Sequence, residues 1–125
     1  VAVDTTAVSD TFEGMMDGTL ALGAGVGIKV MDHSSVSSVP VRRKLEALAR
    51  EAGIPYQMEV FLGIGTDAGE MYKEKAGVPV CTLSIPSRYA HCPHEVIDLG
   101  DLAATQKLLE RFILTMEDKA EFAFI

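Results

Sequence analysis

Three places in this 125-residue chain put ligating or proton-handling side chains just after an apolar run. Val1-Ala2-Val3 leads into Asp4. Gln57-Met58-Glu59-Val60-Phe61-Leu62 leads, through Gly63 and Gly65, to Thr66-Asp67. The run from Val78 to Ile85 leads, past Pro86, to Arg88 and then to His91-Cys92-Pro93-His94-Glu95. In open α/β sheets ligands bind beyond the carboxyl ends of the strands, and parallel strands would gather these groups at one edge. Imidazole, thiolate and carboxylate all bind zinc. Pro93 limits how far its own loop can converge on an ion. One histidine joining a site completed by distant residues therefore fits better than a self-contained pentapeptide site. Taken alone, each residue also has a plainer use: Asp4 as a strand-end or turn residue, His91 as a structural or surface imidazole.

The elements that must position these groups read as follows. The opening apolar run is a buried strand reaching its functional end at Asp4, with a loop from Thr5 to Thr19. Gly23, Gly25 and Gly27 precede a strand at Ile28-Lys29-Val30-Met31. A phosphate loop must precede a helix N-terminus, so this glycine spacing indicates backbone freedom or close approach instead. Ser37-Ser38 then Pro40 starts a helix. Val41, Leu45, Leu48, Ala49 and Ala52 form its apolar face, and Gly53 closes it. Arg42, Arg43 and Lys44 form its solvated side. A strand over 57–62 turns into a short helix from about Thr66 to Lys75. Val78 to Ile85 fits a strand buried on both faces, ended by Pro86. Val96-Ile97 is a short extended piece. Asp101 opens the clearest helix, with Leu102, Leu108, Leu109, Phe112, Ile113 and Met116 as one apolar stripe. This alternation predicts a layered α/β/α fold with a largely parallel mixed sheet, in one domain over 1–125.

The bulk numbers exclude some partners. A net charge of −7 repels phosphate backbones, so nucleic acid is not expected. No apolar run approaches the ~20 residues of a membrane span. Two cysteines make no disulfide framework, and no basic segment followed by an apolar stretch opens the chain. A cytoplasmic protein is the expectation. The 48% hydrophobic content is high for this length and is compatible with apolar surface facing a partner. The chain opens abruptly on a core strand without an initiator methionine, which suggests a missing N-terminal portion or processing.

Three segments, in order, resemble the M42 family of metallo-aminopeptidases. Val1-Ala2-Val3-Asp4-Thr5-Thr6 is similar to that family's strand ending in a metal-binding aspartate. Gly63-Ile64-Gly65-Thr66-Asp67-Ala68-Gly69 is similar to its Gly-Gly-Thr-Asp-Ala motif. Ile85-Pro86-Ser87-Arg88-Tyr89-Ala90-His91 is similar to its Pro-x-Arg-Tyr-x-His motif. Gly53-Ile54-Pro55-Tyr56-Gln57 and Ala76-Gly77-Val78-Pro79 also fit, so the resemblance runs from Val1 to about Phe112. It implies a zinc-peptidase-like fold and a pair of divalent metals, zinc or cobalt, that activate water for attack on N-terminal peptide bonds. It implies Asp4 as a terminal ligand of one metal and His91 as a terminal ligand of the other. It implies that Thr66 and Asp67 line the substrate cleft, and that Arg88 and Tyr89 brace the loop presenting His91. Peptide substrates and a homo-oligomer are further expectations from the resemblance.

The departures bound the reading. The family's other His ligand, its bridging Asp and its Glu pair all lie upstream of this Asp and have no counterpart here. Glu13, Glu70 and Glu95 match no general-base motif. Cys92 stands where the family commonly has Ser, Ile64 replaces a Gly, and Val26 stands where Pro is frequent. The expectation is therefore the C-terminal part of a dinuclear-metal aminopeptidase, inactive on its own and with no catalytic residue of its own. The alternative is a truncated, catalytically inactive relative kept as an assembly or interaction module.

Overall fold

The computed structural model describes residues 1–10, 18–117 and 122. The loop expected over 5–19 therefore lies partly outside the described residues, and Glu13 wholly so. Five strands and three helices run in the order β1 (Ala2–Ala7), β2 (Val26–Asp32), α1 (Val39–Glu51), β3 (Tyr56–Phe61), α2 (Ala68–Met71), β4 (Thr82–Arg88), β5 (Val96–Ile97) and α3 (Leu99–Leu114). They form one sheet in the order β1-β4-β2-β3, with β5 on the end of β4. β1 runs parallel to β4 and β2 parallel to β3, while β2 meets β4 antiparallel. This is the mixed α/β sheet expected. Its strands form two parallel pairs that run in opposite directions.

The two faces of the sheet differ in chemistry. On one face, Val26, Ile28 and Leu83 pack with Val41, Leu45, Leu48 and Ala49 of α1 and with Ala104, Leu108 and Phe112 of α3. These are alternate strand positions meeting helical i, i+3, i+4 positions, as each period requires. On the other face, α2 packs through Ala68 and Met71 against Ala2 and Val80. The register puts Asp4, Thr6, Thr82, Ser84, Gly27, Lys29 and Glu59 on this second face. Polar groups thus line the sheet where the first face is apolar.

Four local expectations change. β1 continues past Asp4 to Ala7, because Thr5, Thr6 and Ala7 pair in register with Ile85, Pro86 and Ser87. β4 begins at Thr82 and runs through Pro86 to Arg88. Proline is tolerated there because the β2 ladder covers Leu83 and Ser84 and the β5 ladder Ser87 and Arg88, which leaves Pro86 in the gap between them. The short helix expected from Thr66 to Lys75 is confined to Ala68–Met71. The last helix starts at Leu99 under an Asp98 cap, whose carboxylate accepts from Gly100 N at 2.6 Å and Asp101 N at 3.3 Å.

Asp101 is instead buried, holding the Gly23 and Gly25 N–H groups at 2.7 Å each. Thr105 is also buried, its hydroxyl satisfied by the Asp101 carbonyl at 2.8 Å. With these polar groups satisfied inside, Leu102, Ile113 and Met116 of the expected stripe face outward. Among the described residues no helix is long and apolar enough to cross a membrane.

Candidate metal centre

Asp4 is half-buried in β1, with Ser84 of β4 as its register partner. One Asp4 oxygen accepts the Thr5 N–H at 2.8 Å. The other accepts no hydrogen bond among the described residues, so the carboxylate keeps coordinating capacity. His91 lies on the exposed loop that leaves β4. Both Tyr89 (φ 60°) and His91 (φ 63°) take left-handed backbone conformations, uncommon outside glycine and unusual for a bulky tyrosine. The Tyr89 carbonyl accepts the Cys92 N–H at 3.1 Å, and Glu95 Oε1 accepts the His91 N–H at 3.0 Å. The loop then returns as β5, where Val96 pairs with Arg88. β1 and β4 are adjacent and parallel and their carboxyl ends coincide, with Asp4 mid-strand on β1 and His91 on the loop beyond β4. Ala7 pairs with Ser87, and the Val8 N–H donates to the Ser87 carbonyl at 2.9 Å.

Thr66 and Asp67 lie at the other end of β4. Because β2 and β3 run against β4, the carboxyl end of β3 meets the start of β4, not its finish. The expectation that parallel strands gather all three groups at one edge is corrected by this antiparallel step. Thr66 is buried, its hydroxyl 2.9 Å from Asp32 Oδ2 and 2.9 Å from the Thr82 hydroxyl. Asp67 is exposed at the N-cap of α2 and makes no side-chain capping bond. Ile64, the family departure beside them, is half-buried, and its carbonyl accepts the His33 N–H at 2.9 Å.

Asp32 organises this end of the sheet. Its carboxylate accepts from Ser34 N and Ser34 Oγ at 2.8 Å each, Ser35 N at 2.9 Å and Thr66 Oγ1 at 2.9 Å. Burial pushes its pKa up, but the hydrogen bonds from Ser34, Thr66 and Ser35 outweigh that and hold it below its ordinary 3.8. Lys29 stands beside it, 3.8 Å from Asp32 and 2.9 Å from Glu59, with both pairs shielded from solvent.

Arg88 reaches away from its own loop. Its Nε and Nη2 donate to the two Asp10 oxygens at 3.2 and 3.3 Å, and Asp10 also accepts the Leu22 N–H at 2.9 Å. The Arg88 hydrogen bond lowers the Asp10 pKa, partly offset by burial and reinforced by the Leu22 N–H. This fork ties the segment after β1 to the end of β4. Tyr89 is 60% exposed, so it shapes the loop through its backbone rather than its ring.

The donor types suit a divalent ion, since carboxylate and imidazole both ligate zinc and related metals. The set is incomplete, because among the described residues no group of three or more His, Cys, Asp or Glu side chains could hold one. Asp4 and His91 therefore do not make a complete metal site by themselves. A groove of about 400 Å³ lined by Ala52, Ile54, Lys107 and Leu114 opens on the helical side of the sheet, away from them. The sequence reading missed Asp10, Asp32 and the hold of Glu95 on His91. Only Asp32 carried a local signal: Asp32-His33-Ser34-Ser35 is a turn in which the aspartate captures donors two and three residues on.

A family model described as M42 glutamyl aminopeptidase matches residues 1–108. The chain belongs to the M42 family. A curated relative of this M42 chain, from Acetivibrio thermocellus, is 38% identical over 110 residues, covering 87% of the chain and 33% of the relative. The solved aminopeptidase of the archaeon Desulfurococcus kamchatkensis superposes with a TM-score of 0.84 at 36% identity, over 92% of the chain and 33% of that structure. The TET1 peptidase of Pyrococcus horikoshii, described as able to assemble into a tetrahedron or a large octahedral shell, matches with a TM-score of 0.69 at 29% identity, over 87% of the chain and 31% of that structure. The M42 chain thus spans about a third of the length of the relatives it matches.

Proposed function

We propose that this chain is the C-terminal share of a metal-dependent aminopeptidase that removes N-terminal residues from peptides. The observation carrying this reading is the family match over residues 1–108, with Asp4 on β1 and the His91 loop on the adjacent parallel strand β4. Asp4 and His91 would each hold one ion of a zinc or cobalt pair as an outer ligand. Such ions supply hydroxide near neutral pH by lowering the pKa of bound water.

The chain's own residues then do the positioning. The Arg88–Asp10 fork fixes the end of β4 against the segment following β1. Thr66 fastens the turn after β3 through Asp32 and Thr82, and leaves Asp67 as the solvent-facing group of that motif, on the proposed cleft wall. The bridging carboxylate and the general base are contributed from outside this chain, so the isolated chain turns over no peptide. The complete protein is proposed to be cytoplasmic and homo-oligomeric. The exposed Leu99, Ile113 and Leu114 of α3 support the latter.

The test is a peptidase assay on the full-length protein with zinc or cobalt. Asp4→Ala and His91→Ala are expected to cut turnover by orders of magnitude. Wild-type rates in both variants would overturn the proposal.

A further inference from the structure

The segment His91-Cys92-Pro93-His94-Glu95 carries more titratable and ligating groups than the proposed function uses. His91 has a role there, but Glu95 does not. The geometry around Glu95 is specific. Its Oε1 accepts the backbone N–H of His91 at 3.0 Å, closing a ring across Cys92, Pro93 and His94. The contact falls where the chain most needs holding, because Tyr89 and His91 both sit at positive φ, at 60° and 63°. A non-glycine residue persists in that region only when its surroundings determine it. Three contacts do so here. The Tyr89 carbonyl takes the Cys92 N–H at 3.1 Å, β5 pairs Val96 with Arg88, and Glu95 takes the His91 N–H. Of the three, only the Glu95 contact grips His91 itself, and only it comes from a side chain. Glu95 immediately precedes β5, so the sheet pairing of Val96 fixes its position relative to the end of β4.

We infer that Glu95 is a positioning residue, which sets the backbone of His91 so that its imidazole is presented to a divalent metal without first reorganising the loop. This rests on the proposed role of His91 as a ligand. Exposed loops sample many conformers, and a ligand that must be ordered on binding subtracts that cost from affinity. Glu95 supplies the order beforehand. The acceptor is what matters, not the charge. A glutamine at the same position keeps a carbonyl oxygen for the His91 N–H, and an alanine does not.

The experiment uses the full-length protein stripped of metal and titrated with zinc by calorimetry, with amide hydrogen exchange at His91 read in the metal-free state. Glu95→Ala is expected to weaken the affinity of one ion about 10-fold, the lower end for partners that orient a metal ligand. It should also speed exchange of the His91 amide. Glu95→Gln is expected to restore both. Three results would overturn the inference: wild-type affinity in Glu95→Ala, unchanged His91 exchange in that variant, or equal weakening in the alanine and glutamine variants, which would point to charge. His91→Ala separates this from the underlying reading. If that variant binds zinc as tightly as wild type, the ligand assignment fails and the metal consequence for Glu95 fails with it. If it loses an ion while Glu95→Ala does not, only the positioning role fails.

Discussion

Individual residues on the second face of the sheet carry unusual electrostatic weight. Lys29 and Glu59 form a buried ion pair at 2.9 Å, and Asp32 sits 3.8 Å from the same ammonium. Desolvating two charges costs several kcal/mol, and the pair is worth keeping only while both members remain. Lys29→Met alone is therefore expected to cost about 3–5 kcal/mol in urea denaturation, since it strands a buried carboxylate. The double variant Lys29→Met with Glu59→Leu should recover most of that loss. A double variant as unstable as the single one would contradict this account. Asp32 makes a second prediction. Its folded pKa lies below the ordinary 3.8, so its contribution is fully present above that value and is lost as pH falls through the folded pKa. Asp32→Asn should be less stable at neutral pH and should show a flatter loss of stability below pH 4 than wild type, measured by thermal melts across pH.

Elements were legible in the sequence where one period governed them. The Val41, Leu45, Leu48, Ala49 face of α1 is buried as its spacing demands, only Ala52 of the expected set being exposed at the C-cap, and Gly53 follows at φ 62°. The sequence was less informative where polar residues are buried. α3 hides Asp101 and Thr105 and exposes Leu102 and Ile113, because the partners of Asp101 are Gly23 and Gly25, more than seventy residues away. No window along the helix reveals such a partner. The direction of β4 relative to β2 was equally hidden, and it decides that Thr66 lies apart from His91.

Two glycines test this level directly. Gly25 has φ 98°, and a Cβ there would strike the Pro55 carbonyl, which accepts the Val26 N–H at 3.2 Å. Gly53 has open space around it. Gly53→Ala is expected to cost about 1 kcal/mol, from its backbone conformation alone. Gly25→Ala should cost more than that and disturb β2–β3 pairing, visible as faster amide exchange at Val26. Equal costs would contradict a close approach of Gly25 to the Pro55 carbonyl.

At the scale of the whole molecule, the chain is proposed to be one share of a larger unit. It matches the M42 family over residues 1–108 and spans about a third of its relatives. Its first face is closed by α1 and α3, and its second face gathers the polar groups among which Asp4 sits. The motifs named the two candidate ligands from sequence because residue type and order are read directly along the chain. The bracing around them, Arg88 to Asp10 and Glu95 to His91, depends on chain folding that no motif spells out.

The central claim is that Asp4 and His91 are outer ligands of a metal pair completed from outside this chain. Anomalous diffraction from crystals of the full-length protein grown with zinc reads it most directly. The account predicts two peaks, one about 2.0–2.2 Å from an Asp4 oxygen and the other about 2.0–2.1 Å from a His91 ring nitrogen. Zinc peaks elsewhere in the protein, with none at either side chain, would contradict it.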